Sequence, residues 1–279
     1  MTKTEPAPTR LRKLLKLLCL RGLYLSGIVC ILACLWFITK LGKPSDARLR
    51  SICKSSMKQI MIAVHNYHND YDCFPPPFTT NDSGKRLHSW RTLILPYMEQ
   101  HELYDRIKLN EPWDSPHNRE AAAKSQHFAQ SRLRCPAESG DTNRGLETNF
   151  LAIVGPRSVW QVDRSVRLSD ITDGTANTIC IAESATSGVH WMEPRDLYVG
   201  QMSWDINAVP GQGISSYHDS EFRFTDARPV NSGVSHVGIL DGSVRFLPTS
   251  ISSDLLEQLI TVDDGLPEEG WGDRLDRSR

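Results

Sequence analysis

His65 and His68 stand three positions apart, a spacing that puts two imidazoles on one face of a helix, close enough to share a metal ion. Two ligands alone make a weak site, so a solvated helix end is the simpler expectation. Asp170, Asp173 and Asn177 surround Gly174 and offer oxygens to calcium. They lack the spacing and closing glutamate of an EF-hand loop, and turn formation accounts for them better. Glu183 and Asp241 are carboxylates that a hydrolase could pair as acid and base, with His65 and His88 as imidazoles in the same cleft. Asp241 precedes Gly242, however, and a tight hairpin needs no catalysis. Ser89 and Ser115 sit outside any nucleophile-elbow pattern, which leaves a serine hydrolase without support. Trp90, Trp113, Trp191 and Trp204 could form a binding surface or pack a core.

The cysteines divide by position. Cys19, Cys30 and Cys34 lie in or beside an apolar run, and Cys53, Cys73, Cys135 and Cys180 follow it. Four cysteines in an oxidising compartment allow two disulfides in three connectivities. No C-x-x-C pair occurs, so a zinc ribbon is not indicated.

These residues must be positioned by what precedes them. Gly22 to Ile38 carries no charge and is flanked by Arg21 and Lys40. With its flanks it just crosses a hydrocarbon core of about 30 Å at about 1.5 Å per residue. A cleaved secretory signal is the rival reading, since Arg10, Arg12, Lys13 and Lys16 make a good basic leader. Cys34, Leu35, Trp36 and Phe37 put bulk where a signal peptidase needs small residues. The expectation is therefore an uncleaved anchor, with the N-terminus cytoplasmic because more basic residues precede the run than follow it. Past Pro44, Leu49, Ile52, Met57, Ile60, Val64 and Tyr67 recur at helical spacing. The helix must end before the prolines of Phe74 to Pro77.

Downstream, the sequence predicts a loop at Asn81–Arg86, core positions at Leu93, Ile94 and Leu95, and a helix capped by Asp114 or Ser115 with Pro116 in its first turn. It predicts strands at 149–155 and before Glu183, a hairpin over Val237–Pro248 and a short helix near Leu255. The fold class is α+β, with a long helix packed on an antiparallel sheet and loop-rich insertions. The expected organisation is a cytoplasmic basic segment at 1–16, a transmembrane anchor at 17–40, an extracytoplasmic domain at 45–262 and a flexible tail at 263–279. A net charge of −1 with 23% charged residues gives no reason to expect a nucleic-acid partner.

Six stretches occur in the order KSSMKQIMIAVHNYHNDYDCFPP, HSWRTLILPYMEQHELYDRI, EPWDSPHNR, RCPAESGDT, ITDGTANTICIAE and DGSVRFL. Together they resemble a bacterial family with prepilin-like N-termini, catalogued as domain of unknown function 1559 and expanded in planctomycetes. The resemblance runs from Arg48 to Leu259. It implies a pilin-like envelope protein, non-enzymatic, without cofactor, held in the cytoplasmic membrane through 17–40 and assembling with itself or with other pilin-like proteins. Competing expectations are an envelope hydrolase and a tethered solute- or polysaccharide-binding module. Two departures stand out. The prepilin signal Gly-Phe-Thr-Leu-x-Glu is missing from the apolar run, and Asn231 stands where many members carry a histidine ten positions before Asp241. Cys53, on the first turns of the long helix, and Cys135, at a strand end, both fall within the stretch that the resemblance covers. A bridge between them is expected, with two separate buried thiols as the alternative and the pairing of Cys73 and Cys180 left open.

Overall fold

The structure, a computed structural model, describes residues 24, 27–34, 36, 46–137, 145–209, 211–216 and 234–264. The chain divides into two compact units, Met1–Ser45 and Asp46–Arg279. In the first, residues 27–34 are helical and exposed. Among the described residues no helix is long and apolar enough to cross a membrane. The basic segment 1–16, both ends of the run Gly22–Ile38, Asn231 and most of the tail 263–279 lie outside the described residues.

The second unit is α+β. Its helices are α1 (Asp46–Tyr71), α2 (Trp90–Leu93), α3 (His101–Arg106), α4 (Pro116–Lys124), α5 (Gln126–Arg132) and α6 (Ser253–Ile260). Its strands are β1 (Phe78–Thr80), β2 (Arg86–Ser89), β3 (Glu147–Thr148), β4 (Phe150–Val154), β5 (Ile179–Glu183), β6 (Val189–His190), β7 (Leu197–Tyr198), β8 (Val234–Ile239) and β9 (Val244–Pro248).

Helix α1 contains no glycine or proline across its 26 residues. It stops where Asp72 turns to a φ of 55° and its N–H bonds back to the His68 carbonyl, a left-handed ending followed at once by prolines that cannot continue a helix. Cys53, Ser56, Met57, Ile60, Met61 and Val64 are buried, the i, i+3, i+4, i+7 set of a single face. Each fully buried Met, Ile or Val there contributes about 1.5–3 kcal/mol of transfer free energy. Ile52, expected on that stripe, is instead 38% exposed, because the buried face is phased on its neighbour Cys53.

Beneath α1 lies a five-stranded sheet in the order β7-β4-β5-β8-β9. The expected all-antiparallel sheet is corrected at one edge, where β7 pairs parallel with β4. Two residues of β7 suffice for that pairing, and the long excursion from β5 brings the chain back in the same direction as β4. Strands β4 and β5 are buried at every position, which gives continuous apolar runs without alternation because both faces are covered. Phe150, Ala152 and Val154 join the cluster under α1. Leu151 and Ile153 face the opposite way, into a cluster with Leu255, Leu256, Leu259 and Ile260 of α6. Ser252 caps α6 by accepting from the Leu255 N–H, as Ser115 caps α4 through the Asn118 N–H with Pro116 behind it. At the β8–β9 turn, the Asp241 carboxylate accepts from the Ser243 N–H at 2.8 Å, and Gly242 adopts a φ of 83°, a conformation that favours glycine. After α6, the Asp264 N–H donates to the Asp173 carboxylate at 2.9 Å.

Candidate functional site

The strongest convergence of reactive groups forms where α1 crosses the ends of β4, β5 and β8. Thr148 Oγ1 donates to the Leu133 carbonyl at 2.6 Å, and the Cys135 N–H donates to Asn149 Oδ1 at 2.6 Å, so the segment after α5 is tied to the start of β4. Phe150, next along β4, is in register with Glu183 at the end of β5. On the other side Ala182 registers with Val237, which sets Glu183 beside His236. Side chains alternate across a strand. Gly238 lies against Met57 and Met61 of α1, so His236, two positions earlier, shares that helix-facing side.

The result is a closed cluster. Cys53 and Cys135 are joined by a disulfide with Cα atoms 5.0 Å apart, within the range that a bridge requires. The two sulfurs and a Glu183 carboxylate oxygen lie within 4.8 Å of one another, and all three residues are buried. His236 Nδ1 pairs with Glu183 Oε2 at 2.8 Å, with both side chains at 0% exposure, and its ring packs on Phe246 at 4.7 Å between centroids. The contact gives each of the two buried polar groups a hydrogen-bond partner, as a dry interior requires.

A second buried polar centre stands at the opposite side of Phe150. The Arg91 guanidinium donates to the Phe150 carbonyl through Nε at 3.0 Å and Nη2 at 2.9 Å, and pairs with Asp196. That carboxylate also accepts from the Ala152 N–H at 2.8 Å and the Trp90 indole at 3.2 Å. Burial pushes the Asp196 carboxyl up, opposed by Arg91, the Ala152 N–H and the Trp90 indole. Burial likewise pushes Arg91 down, opposed by Asp196.

The residues singled out from the sequence are dispersed. His65 Nε2 donates to the Leu240 carbonyl at 2.6 Å, whereas His68 Nε2 accepts from the Leu168 N–H at 3.2 Å. Phe74 packs near both rings, at 6.0 and 4.6 Å. His88 is buried and donates to the Glu111 carbonyl at 2.8 Å; burial lowers its pKa. Asp170 accepts from the Arg167 N–H at 3.0 Å and from Arg164 at 2.8 Å, and the Asn177 amide donates to the Asp173 carbonyl at 3.2 Å. These are turn and ion-pair contacts. Glu183 and Asp241 belong to opposite ends of β5, since Ile239, just before Asp241, registers with Ile179. About 13 Å of strand, at about 3.3 Å per residue, keeps them apart. Trp90 and Trp191 are fully buried, and Trp113 and Trp204 pack partly buried against the two clusters, so the four form core rather than a surface. Ser89 and Ser115 cap α2 and α4.

Sequence reasoning missed His236, Arg91 and Asp196. The available signal was a polar residue inside an apolar strand, VSHVGIL, and a lone arginine inside HSWRTLIL.

A family model described as "Protein of unknown function (DUF1559)" matches residues 46–161 and 153–254. No curated protein and no solved structure matches the chain.

Proposed function

The chain belongs to that DUF1559 family, and on this premise we propose that it is a membrane-anchored, pilin-like protein with a structural or binding role at the cell envelope. One observation carries the reading. Helix α1 starts at Asp46, soon after the apolar run ends at Ile38, and lays its one buried face on the sheet. A helix of 26 residues is about 39 Å long, a length that suits the long helix of a pilin-like body. Glu183 and Asp241 lie toward opposite ends of β5, and His65 and His88 donate to backbone carbonyls, contacts that suit a scaffold. At the far end of α1, Tyr71 is 60% exposed and stacks on Tyr67 at 4.3 Å, while Tyr97 donates to Asp70 at 2.6 Å. Aromatic faces beside a carboxylate suit a ring-shaped polar ligand, which supports the binding side of the role.

The anchor is tested by fractionation and mass. The native protein will stay in the membrane fraction after a high-pH wash and will keep its apolar run in the intact mass, since that run lacks the Gly-Phe-Thr-Leu-x-Glu motif. Loss of the first twenty to forty residues, or release into the soluble fraction, would contradict the anchor.

A further inference from the structure

We propose that a cleft beside α1 binds a neutral oligosaccharide, a ligand class that rests on the binding role proposed above and gives it a place. The cleft holds about 260 Å³ and is built by segments distant in sequence. Helix α1 supplies Gln59 and Ile62, the turn Leu95–Met98 supplies Tyr97 and Met98, and the end of α5 supplies Arg132. Glu99 leaves that turn at a φ of 60°, and the N–H groups of Glu99 and Gln100 both close on the Leu95 carbonyl. The chain reverses there, and these two residues complete the lining.

The lining has the chemistry of a sugar site. Ile62 is 48% exposed between the exposed Lys58 and Asn66, one turn to either side, so it is an apolar spot on a polar helix face. With Met98 and Tyr97 it offers apolar surface to the C–H face of a pyranose. The Gln59 and Gln100 amides can each donate and accept, as sugar hydroxyls do. Arg132 donates to the Gln59 amide oxygen, a bond that occupies few of the five N–H donors of a guanidinium. Glu99 and Arg132 carry opposite charges, so the lining favours neither an anion nor a cation. A neutral, hydroxyl-rich ligand satisfies both its apolar and its polar parts.

Tyr97 extends this surface beyond the cleft. Its hydroxyl donates to Asp70 at 2.6 Å, and its ring stands edge-on to Tyr67 at 6.1 Å between centroids. Tyr67 in turn stacks on the exposed Tyr71. Tyr71 lies nine positions past Ile62, about 14 Å along the helix, farther than a single sugar ring reaches. The ligand is therefore a chain of sugars, with one ring in the cleft and another against Tyr71.

Calorimetric titration of the full chain, in a detergent without a sugar head, tests this with maltohexaose, cellohexaose and chitohexaose as probes. At least one hexamer should bind with a Kd below about 1 mM, and its monosaccharide should bind more weakly. Arg132→Ala should weaken that hexamer about 10–100-fold and Tyr71→Ala about 2–10-fold, each with native circular dichroism. Lys124→Ala, on α4, should leave it unchanged. Should Arg132→Ala fail to fold, the exposed Tyr71 still carries the test. Binding of none of the three hexamers would overturn the proposal, as would full affinity in both Arg132→Ala and Tyr71→Ala. Equal affinity for hexagalacturonate or for trileucine would also overturn it, by showing charge or peptide recognition instead. The envelope reading is judged separately by fractionation: a membrane-bound chain that binds no hexamer refutes the ligand alone, and a released chain that binds one refutes the anchor alone.

Discussion

Asp196→Ala will lower the unfolding free energy by about 3–5 kcal/mol, the cost of leaving a buried charge without its partner. The side chain it removes accepts from Arg91, the Ala152 N–H and the Trp90 indole together. Arg91 is at 0% exposure, so no water replaces the lost carboxylate. The ion pair itself need not stabilise, because both groups lose their hydration on burial, which raises Asp196 and lowers Arg91. Replacing both, as Arg91→Met with Asp196→Leu, should therefore restore a large part of the loss. Guanidinium midpoints at constant slope measure both effects. A loss below about 1 kcal/mol for Asp196→Ala would show that the centre is solvated.

Cys53→Ala with Cys135→Ala will cost about 4.5 kcal/mol in the oxidised protein. The bridge spans 82 positions, and the chain-entropy relation gives about that figure for a loop of this size. It fixes the early turns of α1 to the segment that Asn149 and Thr148 hold at the start of β4. Cys180 does not compete for exchange, because burial pushes its thiol up to about 12 and leaves no thiolate to attack. Peptide mapping without reductant should recover Cys53 linked to Cys135. Alkylatable thiols at both positions, or a midpoint unchanged in the double variant, would contradict the assignment.

Periodicity made α1 legible, since Met57, Ile60 and Val64 recur at helical spacing and are buried. It misplaced Ile52 because a cysteine and a serine, Cys53 and Ser56, complete the buried face where only large apolar residues were counted. The hairpin around Asp241 was legible because Asp-Gly chemistry is local. Pairings between distant strands were not. Glu183 and His236 are 53 positions apart, and their contact depends on the β5–β8 register, which includes an irregularity between Ile179 and Ile181. Arg91 and Asp196 are 105 apart, joined by a two-residue parallel strand that no alternation announces. The chemistry suggested by His65 with His68, and by Asp170, Asp173 and Asn177, dissolved into backbone caps and turns for the same reason: short spacing shows which residues can meet, and tertiary neighbours decide what they bond.

The proposed role needs a folded body outside the cytoplasmic membrane, tethered through the apolar run, and protease added to intact spheroplasts probes that placement. The body beyond about Lys43 should be digested once the disulfide is reduced and the fold loosened, leaving a short protected fragment that carries the basic N-terminus. A body that survives until the spheroplasts are lysed, and is digested only then, would contradict it.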